Sequence, residues 1–106
     1  MRPAIVSVTG VGTSKVVPPD WNSSPFNVGI GCVVSGTATY TVEHTFDDVF
    51  DPAFVPASAT WIANTGLTAQ TTTKDGNYAF PVRGIRLNVT AGTGTVTMTV
   101  MQGFAK

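Results

Sequence analysis

The chain has 106 residues, six basic and six acidic, for a formal net charge of zero. Charged residues make up 11% of it, against roughly 25% in an ordinary soluble domain, which argues against nucleic acid as the principal ligand because phosphate contacts need clustered Lys and Arg. The length suits a single domain spanning 1–106 with one two-layer core, and the one cysteine, Cys32, excludes an internal disulfide framework.

Residues 4–9 read as a first strand, with Ile5 and Ser7 on one face and Val6 and Val8 on the other. Gly10 and Gly12 bracket a turn, and 13–17 returns as a short second strand that Pro18-Pro19 stops, since proline cannot donate to a ladder. A loop over 21–25 carries Trp21. Residues 26–34 form a third strand in which Val28, Ile30, Cys32 and Val34 share a face, leaving Gly29 and Gly31 to bare the other. After the turn Ser35-Gly36-Thr37, residues 38–46 alternate again, with Tyr40, Val42, His44 and Phe46 opposite Thr39, Thr41, Glu43 and Thr45.

Residues 47–60 break the pattern with Asp47, Asp48, Asp51, Pro52 and Pro56. They predict a long connection with one helical turn, pinned by Phe50 and Phe54. Short strands are expected over 61–64 and 67–73, and Lys74-Asp75-Gly76-Asn77 carries the Asp-Gly signature of a hairpin turn. The clearest passage is 82–103. Ile85, Leu87, Val89 and Ala91 alternate with Arg86, Asn88 and Thr90. Beyond Gly92-Thr93-Gly94, Val96, Met98 and Val100 alternate with Thr95, Thr97 and Thr99. It predicts two half-buried strands joined as a hairpin by a tight turn. Seven to eight short strands without helical periodicity make an all-β protein, an antiparallel sandwich of immunoglobulin-like or jelly-roll type.

The chemistry on offer is sparse. His44 is the only histidine and Cys32 the only cysteine. Both fall on inward faces, where a hydrogen-bonded imidazole and a buried thiol are expected rather than a nucleophilic pair. Asp47, Asp48 and Asp51 form one carboxylate cluster without the spacing of a calcium loop, so they read as loop-building residues and no metal or cofactor is expected. Gly10-Val11-Gly12-Thr13-Ser14-Lys15 lacks the ending of a phosphate loop, and the prolines that follow cannot open the helix such a loop needs.

Trp21, Trp61, Tyr78 and Phe104 fall in loops or at strand ends, where they either plug the open ends of the sandwich or serve as interface anchors or sugar-stacking rings. Thr95, Thr97 and Thr99 line a solvent face suited to contact with a partner. The short apolar run after Met1-Arg2-Pro3 is too brief for a signal-peptide core, and no apolar stretch is long enough for a transmembrane helix. The expectation is a product made in the cytoplasm, with no membrane partner.

The segment Tyr78-Ala79-Phe80-Pro81-Val82-Arg83-Gly84-Ile85-Arg86-Leu87-Asn88-Val89-Thr90, followed by Gly94-Thr95-Val96-Thr97-Met98-Thr99-Val100-Met101-Gln102-Gly103, resembles the carboxyl-terminal hairpin of small proteins encoded among the structural genes of tailed bacteriophages. That resemblance implies a non-enzymatic virion protein, a capsid decoration or cement protein that stabilises the head through contacts with the major capsid protein or other virion proteins, and it carries over no catalytic residue. A tail or neck accessory is the neighbouring option. Low charge and near-zero net charge fit such a role and favour a homo-oligomer. The alternative from another class is a carbohydrate-binding module using Trp21, Trp61 or Tyr78.

Overall fold

The structure, a computed structural model, describes residues 4–19 and 27–102. Eight strands follow in order: β1 Ala4–Thr9, β2 Gly12–Thr13, β3 Val28–Ser35, β4 Ala38–Thr45, β5 Ile62–Ala63, β6 Lys74–Tyr78, β7 Gly84–Gly92 and β8 Thr95–Gln102. Short 3-10 turns at Pro56–Ser58 and Thr65–Leu67 are the helical elements among the described residues. The strands make two antiparallel sheets of four, β1-β8-β3-β6 and β2-β7-β4-β5.

The pairing rule behind that order is simple. The first strand pairs with the last, β2 with β7, β3 with β6, and β4 with β5. The chain is thus one long antiparallel ribbon folded back at residues 46–61. Successive pairs lie in alternate sheets, and β3·β8 and β4·β7 complete them. This is the jelly-roll arrangement of two Greek keys, so the sandwich is of that type and not immunoglobulin-like.

Alternation places most of the core, although Phe46 is exposed and Thr41 and Thr45, on the face opposite Tyr40 and Val42, are buried. Val28, Ile30 and Cys32 of β3, Tyr40 and Val42 of β4, Ile85, Leu87 and Val89 of β7, and Val96, Met98 and Val100 of β8 are all buried between the sheets. What alternation misjudges is the neighbour. The expected hairpin over 82–103 does not form, because β7 and β8 belong to opposite sheets. A Gly-Thr-Gly step lets the chain cross from sheet to sheet as readily as it closes a hairpin. Here Gly94 donates its N–H to Thr37 O (2.8 Å) and accepts from Gly10 N–H (3.0 Å), which ties three crossover turns together at one end of the molecule. A side chain does not fit there: a Cβ on Gly94 would lie 2.5 Å from Ser35 O and 2.8 Å from Thr37 N.

Five other expectations change. Ala91 is exposed rather than inward, because the register between β4 and β7 shifts by one residue at Thr39/Tyr40 and flips the parity beyond Val89. Lys74-Asp75-Gly76-Asn77 is strand β6 instead of a turn, with Gly76 opposite Ile30. Leu67, fully buried, sits over Gly76 so closely that a Cβ there would meet Leu67 Cδ1 at 2.7 Å. The glycine therefore makes room for a leucine rather than bending the chain. Residues 67–73 join a sheet only through the bridge Tyr40↔Gln70, since Ala69 has a positive φ of 51° that breaks extended backbone. Phe50 is 73% exposed and pins nothing. The second strand is also shorter than expected, being Gly12–Thr13 plus a single bridge from Val17 to Ile85.

Candidate functional site

Among the described residues, one place that can meet a ligand or partner is the outer face of the β1-β8-β3-β6 sheet. Strand parity turns Ile5, Ser7 and Thr9 of β1, Thr95, Thr97, Thr99 and Met101 of β8, and Gly29, Gly31 and Val33 of β3 away from the core. Register aligns them in rows: Thr9–Thr95–Ser35, Ser7–Thr97–Val33, Ile5–Thr99–Gly31–Asp75, and Met101–Gly29–Asn77. The hydroxyls of Ser7 and Thr97 lie 3.1 Å apart and those of Thr9 and Thr95 3.0 Å apart, so each pair bonds across the strands within its own row. Among these residues Asp75 carries the one charge. Ile5, Val33 and Met101 are each more than half exposed. Gly29 and Gly31 leave a shallow groove of about 310 Å³ bounded by Asp75, Thr99 and Met101. Thr95, Thr97 and Thr99 are thus brought together on an inner strand of a partly apolar face that carries a single charge, Asp75.

The second place is the end of the sandwich away from the glycine turns. His44 from β4 and Tyr78 from β6 meet there across the two sheets, with His44 Nδ1 2.8 Å from Tyr78 Oη. The imidazole also makes edge contacts with Phe46, Tyr78 and Phe80 at centroid distances of 5.5, 4.9 and 5.6 Å. Burial lowers the His44 pKa from 6.5 and so holds the ring neutral. Burial likewise pushes the Tyr78 phenol up to about 12, against a smaller opposing effect of its hydrogen bond with Asn64. Inward parity at His44 signals that a buried imidazole needs a polar partner. That the partner is Tyr78, on a strand of the other sheet, has no local signal at all.

The remaining candidates resolve as follows. Tyr78 is 1% exposed, so it is a core residue and not a surface anchor or stacking ring. Trp61 is half-buried. Its Nε1–H donates to Pro56 O (2.8 Å), and the Arg86 guanidinium lies 4.1 Å over its ring while bonding Glu43 at 2.8 Å. One face of the indole is therefore already occupied. Trp21 and Phe104 lie outside the described residues. Cys32 is buried beside Tyr40, and desolvation pushes its thiol up to about 11, so it stays protonated at neutral pH. Its neighbour is Tyr40 and that of His44 is Tyr78, so the two residues do not form a nucleophilic pair.

The three aspartates each serve the loop. Asp47 accepts from Thr60 N–H, Asp48 from Phe50 N–H and Asp51 from Ala53 N–H, at 2.9–3.0 Å. Among the described residues no group of three His, Cys, Asp or Glu is placed to hold a metal ion. Comparison with protein families, with curated proteins and with solved structures finds no match for this chain.

Proposed function

We propose that this jelly-roll domain is a non-enzymatic structural protein of a tailed-phage particle, seated on the head as a decoration or cement protein and working as an oligomer. The observation that carries this reading is the outer face of the β1-β8-β3-β6 sheet. It presents Ile5, Val33 and Met101 among paired hydroxyls with a single carboxylate. A contiguous, partly apolar face without charge repulsion is the kind of surface that partners cover. The opposite sheet is less available, because Trp61, Arg86, Glu43 and Asn88 already bond to one another on its outer side.

The likeness of residues 78–103 to phage structural proteins supports the setting, and the major capsid protein is the partner it suggests. Fold alone does not decide the matter, since jelly-rolls serve both capsids and lectins. The test is the protein composition of purified particles. Stoichiometric abundance by quantitative mass spectrometry, with the density located on the head by cryo-imaging, is the expected result. Presence in infected-cell lysate but not in particles would reject it, and density on the tail or neck would move the protein there.

A further inference from the structure

The two sheets end in four edge strands that differ in how they are protected. Alternate residues of an antiparallel strand bond the neighbour on one side, so an edge strand turns half of its N–H and C=O groups out of the sheet. The edges β2 and β5 are only two residues long. The edge β6 carries Lys74 and Asp75, charges of the kind that blunt an edge. β1 has none of these devices. Its six residues, Ala4–Thr9, include no charge and no proline, and its ladder with β8 runs without a register shift. Among the described residues no strand pairs with its far side. The core is also incompletely sealed along this strand. Val8 is buried, but Ala4 and Val6, which share its inward parity, are only partly buried against the core. Ile5, on the outer side, is 67% exposed.

We propose that β1 pairs antiparallel with β1 of a second copy of this chain, joining two four-stranded sheets into one of eight strands. This rests on the oligomer reading above and names the surface that links the copies. Identical antiparallel strands are related by a two-fold axis, and each contact is made twice. Opposite residues in such a pair point to the same face, so parity puts the axis at Val6 or Ser7. Val6 then meets Val6 or Val8 of the copy over the core, and Ile5 meets Ser7 or Thr9 on the outer face. A slip of one residue would set the inner row of one copy against the outer row of the other. A strand of different sequence would have to reproduce this alternation, whereas a second copy supplies it by identity. With no charge in β1 and a formal net charge of zero, the copies do not repel each other. The join leaves the outer faces of the two sheets side by side for the contacts proposed above.

Sedimentation equilibrium of the full chain tests the pairing, with Val33→Lys used to remove contacts through the outer face. Val33 lies on β3 and is 57% exposed, and Ile5 is exposed too, so both variants should melt cooperatively. Val33→Lys is expected to remain a dimer. Ile5→Lys, which brings a like charge from each copy to the join, should raise the dimer Kd at least about tenfold, alone or with Val33→Lys. Hydrogen exchange in the parent should slow one alternate set of β1 amides at high concentration and release it on dilution, whatever the variants do. The proposal is overturned by a monomer at every concentration, by a dimer that Ile5→Lys leaves intact, or by a dimer that Val33→Lys alone dissociates. Concentration-dependent protection on β6 in place of β1 overturns it as well. A β1-paired dimer absent from purified particles keeps the pairing and rejects the virion reading. A monomer that is abundant in particles does the reverse.

Discussion

At the scale of single residues, the His44–Tyr78 pair makes stability depend on pH at both ends. The native ring resists protonation, so its pKa lies below the unfolded value of 6.5. Below that pH the unfolded chain takes up a proton that the folded chain does not, so the contribution of His44 is complete above about pH 6.5 and shrinks as acid is added. Tyr78 behaves oppositely. With a native pKa of about 12 against 10, its contribution is complete below pH 10 and is lost as pH rises toward 12. Urea midpoints should therefore fall between about pH 7 and pH 5. Because this is the only histidine, His44→Gln should flatten that acid slope, and an unchanged slope would show that the ring titrates normally. Alternation makes the burial of His44 readable from sequence. Its bond to Tyr78 is not, since the two residues come from strands of different sheets.

At the scale of elements, glycines do work that turn signatures misassign. Gly94 is held where the crossings between the sheets pack backbone to backbone, with Ser35 O 2.5 Å from where a Cβ would sit. Gly94→Ala should lower stability by about 1–3 kcal/mol in chemical denaturation, because the crossover must shift to admit a methyl group. Gly31→Ala is the control: a Cβ there meets nothing within 4 Å, and its effect should stay within about 0.5 kcal/mol. Equal losses at both positions would mean that glycine matters here for chain entropy alone. The same distinction explains Asp75-Gly76. The dipeptide reads as a turn because Asp-Gly tolerates positive φ, whereas in the fold Gly76 is extended and exists to seat Leu67. The dipeptide itself does not announce that leucine, which arrives from the 3-10 turn Thr65–Leu67.

At the scale of the whole molecule, each sheet turns one face to the core and one away from it. Val89 and Met98 are fully buried on facing strands of opposite sheets, while Thr97 lies on the outer face. Val89→Asp should abolish the cooperative thermal transition, since a lone buried carboxylate costs several kcal/mol against a typical margin of ~5–15 kcal/mol. On the proposed assembly, Thr97→Lys should keep the monomer's melting temperature and shift light scattering toward smaller species. A Thr97→Lys protein that assembles as the parent does would remove the outer face of the β1-β8-β3-β6 sheet from the interface.

Read alone, the 106 residues settle the all-β class, most of the strands and the buried side of most of them. Side-chain parity is a local property of extended backbone, visible in a few consecutive residues such as 85–89 or 96–100. Strand partners are another matter. A ladder bond joins Ala4 to Val100 or Tyr78 to Val28, and which edges meet is decided by competition among all the strands for one shared core. That competition sends β7 and β8 to opposite sheets, selects the jelly-roll order, and closes His44, Asn64 and Tyr78 around one cavity.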